Sequence, residues 1–246
     1  MSKTALYRAL DEFDLPALQK ILAAKPELRE LRTEKGFDLL QYCCKRRTDH
    51  DPAAAARQVQ VAKWLVSQTF DPRELLTTAP GEDGEEEPSQ ISLVWFAVAK
   101  AQNNKLARFF LDQGASPEAL FAAAWWGNAD ILEDLVTHGA DIDEHVGATP
   151  LHMAVDVLYR GVEGKPDRAR RRLRTLQEFL RLGANPNIPA VNGETPLHSV
   201  LRKDYPVEVF KLLLKHGANP DLPGKDSRTV RDIALRKRDK HYANAL

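Results

Sequence analysis

The side chains able to do chemistry in this chain are seven histidines, two adjacent cysteines and several blocks of carboxylate or guanidinium. Ser199, His198 and Asp204 lie close enough to suggest a nucleophile, a base and an orienting acid. Proximity along one short stretch is not the geometry such a relay needs, so no catalytic residue is assigned. Cys43 and Cys44 lack the further ligands that a zinc site requires, and read as two packed thiols in a reducing compartment. The carboxylates of Gly81–Pro88 lack the spacing of a calcium loop. No nucleophile elbow, phosphate-cradling glycine loop or His-Glu-x-x-His sequence occurs. The expectation is therefore a protein that is no enzyme and holds no metal or cofactor.

Binding is the chemistry that remains. Lysine plus arginine and aspartate plus glutamate number 35 each, so no net charge draws the molecule to nucleic acid or membrane. No apolar run reaches the length of a membrane span, and the first residues, Met1-Ser2-Lys3-Thr4-Ala5-Leu6, lack the apolar stretch of a secretory signal. A cytoplasmic protein is expected. Two features break an otherwise mixed surface. One is the pair Trp125-Trp126. The other is the arginine-rich stretch 165–174, with Arg168, Arg170, Arg171, Arg172 and Arg174.

The elements that must position these residues are written as a repeat. Gly193-Glu194-Thr195-Pro196-Leu197-His198 is followed by an amphipathic run ending at His216-Gly217-Ala218-Asn219-Pro220. Upstream, Gly147-Ala148-Thr149-Pro150-Leu151-His152-Met153-Ala154 is followed by a run ending at Leu182-Gly183-Ala184-Asn185-Pro186. Thr-Pro suits the start of a helix, where the hydroxyl caps free N–H groups and proline occupies the first turn. Apolar residues seven, four and three places before the glycine form one helical stripe, and the glycine supplies a left-handed stop.

Thr-Pro-Leu-His-x-Ala followed by such a helix resembles the ankyrin repeat. The resemblance implies an all-α, right-handed solenoid of about seven helix–turn–helix repeats, forming one domain over 1–246. The repeats are placed at about 2–35, 36–77, 90–117, 118–146, 147–190, 193–223 and 227–246, with an acidic loop over 78–89. Two repeats carry insertions between their helices, near 47–54 and 158–170. The fourth is short, since Gly114 to Gly139 spans 25 residues against 34 from Gly183 to Gly217. The third has a first helix that holds one residue more than the pattern.

The same resemblance assigns roles. His152 and His198 become structural clasps to the neighbouring backbone, while His138 and His216 cap helix ends. The ends of the first helices line a concave binding face. Mapped onto this chain, that face contains Lys45, Arg46, Trp125, Trp126, Asp156, Arg202 and Lys203, with Val157 beside Asp156. The implied function is capture of a protein partner of unknown identity by a chain that is monomeric when free. Masking or neutralising a toxin or an enzyme, as an inhibitor or immunity protein does, fits an array with no other module. The alternative is a regulator bound to nucleic acid through 165–174.

Overall fold

The structure is a computed structural model that describes residues 2–77, 90–237 and 240–246; the acidic stretch 81–88 falls outside them. The helices come in pairs whose boundaries follow the local signals. The chain folds as two compact units, Met1–Ala119 with Thr137–Gly139, and Leu120–Val136 with Ala140–Leu246.

In the first unit, α1 (Lys3–Glu12) and α2 (Leu15–Ala24) form the opening pair, capped by Ser2 and Asp14. Helices α3 (Leu39–Cys43) and α4 (Pro52–Ser67) form the next. Asp38 starts α3 with a reciprocal cap, accepting from the Gln41 N–H while Gln41 reaches back to the Asp38 N–H. Strands β1 (Leu76–Thr77) and β2 (Gln90–Ile91) then pair antiparallel. The third pair is α5 (Leu93–Phe96) and α6 (Asn104–Asp112). First helix packs on first helix and second on second, as in α1 with α3, α2 with α4 and α4 with α6. The expected stripes are the core: Leu18, Ile21 and Leu22 in α2, and Ala107, Phe110 and Leu111 in α6, are buried.

The surplus residue of the third repeat has a definite home. After α5 the backbone widens into a π turn over Ala97–Ala101, and the Asn103 N–H bonds back to the Ala97 carbonyl. A π turn takes up one inserted residue without moving the helix ends.

The second unit begins with α7 (Leu120–Trp126) and α8 (Leu132–Thr137). The following pairs are α9 (Pro150–Asp156) with α10 (Pro166–Arg181), and α11 (Pro196–Arg202) with α12 (Val207–Lys215). Helix α13 (Val230–Arg236) opens the last repeat, whose second half is a 3-10 turn over Ala243–Ala245. Here α7 packs on α9, α9 on α11 and α11 on α13. Two residues after α12, Gly217 has a φ of 87°, the left-handed stop its position predicted.

Candidate partner-binding surface

The ends of α7, α9 and α11 define an open cavity of about 600 Å³ in the second unit. Trp125, the penultimate residue of α7, contributes its half-buried indole, and Met153 and Val157 add apolar surface. The Arg160 guanidinium lies over the Trp125 ring, 5.1 Å from its centroid. Opposite, Lys203 pairs with Asp156 at 2.6 Å, and the Tyr205 hydroxyl donates to the Asp156 carbonyl at 3.3 Å. Tyr159 stacks edgewise on Tyr205, with centroids 4.9 Å apart. Trp126 is half-buried, and its carbonyl accepts from Arg171 at 3.5 Å.

Of the residues placed on this face from sequence, Trp125, Asp156 and Lys203 come together. Arg202 is turned toward the next repeat boundary, where it pairs with Glu194 at 2.5 Å and Asp226 at 3.7 Å. Val157 is 2% exposed and serves mainly as core. Lys45 and Arg46 belong to the first unit. The Lys45 ammonium sits over the Tyr42 and Phe37 rings at 5.4 and 5.8 Å, and Arg46 donates to the Asp11 carbonyl.

The arginines of the basic stretch each have a partner within the fold, and Arg172 alone among them is buried. Arg172 is a correction to the expected basic surface: it is 7% exposed, and its guanidinium donates to the Val157 carbonyl at 2.5 Å and to the Arg160 carbonyl. Burial lowers its proton affinity, and the like charges of Arg168, Arg171 and Arg160 add to this. Arg174 pairs with Asp130 at 2.5 Å, Arg170 with Asp167 at 3.5 Å, and Arg168 donates to the Gly161 carbonyl at 3.1 Å.

Arg172 has a counterpart in the first unit. Gln58, fully buried, donates to the Cys43 and Arg46 carbonyls at 2.9 and 3.1 Å and accepts from Thr48 and Asn103. In both insertion-bearing repeats a polar side chain of the second helix binds carbonyls 15 and 12 residues earlier. In both, the second of those carbonyls belongs to an arginine, Arg46 or Arg160, whose side chain reaches the preceding repeat at Asp11 or Trp125.

The groups that suggested catalysis are otherwise engaged. His152 Nδ1 accepts from the Thr149 N–H at 3.2 Å, which leaves the proton on Nε2, 3.0 Å from the Glu194 carbonyl. His198 repeats the arrangement with Thr195 and the Arg228 carbonyl. Burial depresses the proton affinity of both imidazoles. Asp204 pairs with Lys237, while the His198 ring nitrogens face Thr195 and the Arg228 carbonyl. His216 Nδ1 lies 2.9 Å from the Leu212 carbonyl at the end of α12, as a cap should, whereas His138 lies 3.8 Å from Asp112. Cys43 and Cys44 are free and buried, and burial pushes the Cys43 thiol up to about 12. Among the described residues no group of three or more His, Cys, Asp and Glu is placed to hold a metal ion. No described helix is long and apolar enough to cross a membrane.

Sequence reasoning missed Arg160, Met153 and Tyr205. Arg160 lies in the inserted stretch, where helical periodicity says nothing about direction. Met153 is the variable position of the Thr-Pro-Leu-His-x-Ala motif. The Asp156–Lys203 pairing that places Tyr205 spans two repeats.

The fold and the clasps define a class: an all-α, ankyrin-type solenoid of helix pairs. Residues 192–225 match the family model described as the ankyrin repeat. The chain is 36% identical over 105 residues to human neurogenic locus notch homolog protein 4, a match covering 42% of this chain and 4% of that protein. The human ASB11 ankyrin repeat domain superposes with a TM-score of 0.71 at 21% identity, covering 100% of this chain and 98% of that one. The Bcl-3 ankyrin repeat domain gives 0.70 at 19% identity, covering 99% and 98%. An ankyrin repeat domain from Acinetobacter baumannii AYE gives 0.63 at 24% identity, covering 89% and 100%. The chain has the fold of ankyrin repeat domains and carries a matching ankyrin repeat over residues 192–225. Such domains are in general protein-interaction modules.

Proposed function

We propose that this protein is a non-catalytic binding module, a single array over 1–246, that captures a protein partner at the ends of its first helices. The observation that carries the reading is the Trp125 indole, half-exposed in an open cavity and flanked by Arg160 and the Asp156–Lys203 pair. Aromatic and arginine side chains of this kind dominate interface energies, at roughly 2 kcal/mol or more each when truncated. Helices that are already packed hold the surface before encounter, so little ordering entropy is lost on docking.

The finer reading is of a monomeric cytoplasmic protein that masks its partner, a toxin or an enzyme, through the surface made by Trp125, Trp126, Asp156 and Lys203, with Arg202 at its margin. Lys45 and Arg46 would extend recognition within the first unit. Affinity capture from the native cell, followed by mass spectrometry, identifies the partner. Trp125→Ala with Trp126→Ala is expected to leave helical content intact and abolish that capture; full capture by the double variant would remove this surface. The nucleic-acid alternative has lost Arg172 to the interior and Arg174 to Asp130. Salt-dependent retention on heparin, abolished by Arg170→Glu with Arg171→Glu, would restore it.

A further inference from the structure

Arg160 lines the Trp125 cavity, and Arg168, Arg171 and Arg172 of α10 add positive charge near it. Arg160, Arg168 and Arg171 all lie near enough to Arg172 to act on its charge. Arg168, Arg171 and Arg172 bond to backbone carbonyls rather than to carboxylates. Of the acids in this region, Asp156 pairs with Lys203, Asp130 with Arg174 and Asp167 with Arg170. Arg160 is exposed, one face of its guanidinium rests on the indole, and its side chain makes no ion pair or hydrogen bond within the described residues. Its backbone is held in place by the bond from Arg172 to its carbonyl.

A guanidinium stacked on an aromatic face keeps its N–H fork in plane and open at the edge, which matches the two oxygens of a carboxylate. Its neighbours decide between possible anions. Apolar Met153, Val157 and Trp125 lie beside it, and the chain carries no net charge to attract a polyanionic backbone from a distance.

We propose that Arg160, positioned by Arg172 and backed by Trp125, receives a carboxylate from an acidic segment of the protein partner. This rests on the binding reading above and names the chemistry of its partner. The part of the insertion that precedes α10, residues 158–165, is then part of the recognition surface, and Arg172 is a positioning residue.

The test uses the full chain and a short oligoglutamate peptide as probe, followed by indole fluorescence and by calorimetry, with oligothymidylate as the competing anion. Saturable binding is expected, weakened about tenfold by Arg160→Gln, the loss expected for one charge-assisted hydrogen bond. Lys215→Gln, on a distant exposed side chain, should bind as the parent does. Arg160→Lys keeps the charge but loses the fork, and should recover only part of the affinity. Equal binding by Arg160→Gln and the parent would overturn the proposal, as would oligothymidylate binding more tightly than oligoglutamate. If Trp125→Ala with Trp126→Ala abolishes partner capture while Arg160→Gln leaves peptide binding unchanged, the carboxylate receptor fails and the binding face stands. If the double variant captures its partner normally, the face itself fails.

Discussion

At the scale of single residues, the clasp histidines tie the second unit together and make it sensitive to acid. His152 and His198 are nearly or wholly buried, and each ring bridges a helix start to the backbone of the following repeat. Because burial holds their proton affinity below the ordinary value of 6.5, the unfolded chain binds protons more readily in that region. Stability is therefore full above that value and declines as pH falls below it. The buried carboxyl of Asp38 is raised and acts in the opposite sense, so the contribution is read by difference. His152→Leu should cost roughly 1–3 kcal/mol at neutral pH, since the Glu194 carbonyl loses its donor. The variant should also show a shallower loss of thermal midpoint between about pH 7 and pH 5.5 than the parent. Equal slopes would show that His152 takes no part in the pH response. These clasps were legible in the sequence because a local motif places the ring. Arg172 was not, since burial of an arginine depends on carbonyls supplied from 12 and 15 residues away.

At the scale of elements, the insertions are fixed parts of the fold. Gln58 satisfies two carbonyls and two donors at once, so Gln58→Leu should cost on the order of 1–3 kcal/mol and loosen the turn over residues 44–51. Thermal unfolding, with hydrogen exchange at Thr48 and Asn103, checks this; unchanged stability would mean that solvent replaces the network. Gly127 marks a similar constraint after α7. Its φ is 70°, and a Cβ there would lie 3.0 Å from Arg172 Cγ and 3.3 Å from the Arg172 backbone nitrogen. Gly127→Ala should therefore destabilise by roughly 1–3 kcal/mol, read by denaturant titration, because strain in the left-handed region adds to a contact that backbone cannot easily yield. Helix pairing and apolar stripes could be read from sequence because periodicity is local. The π turn over Ala97–Ala101 could be read only as one residue too many, since periodicity does not say where the surplus is absorbed.

At the scale of the whole molecule, equal numbers of acidic and basic residues conceal an uneven distribution. Most surface ion pairs here are exposed and contribute little to stability. Among the described residues they leave Arg160, beside the Trp125 cavity, without an ion pair of its own. Recognition should therefore combine indole burial with one directional charge contact, and salt should weaken it only modestly, unlike phosphate-backbone binding.

The central claim, that the first-helix ends of the second unit are the working surface, is tested most directly by hydrogen exchange of the full chain with and without its captured partner. The account predicts slowed exchange at the ends of α7 and α9, through the 158–165 insertion and at 203–205, with α10 and α12 unchanged. Protection confined to α10 and α12, with the residues around Trp125 and Arg160 exchanging as in the free protein, would contradict it.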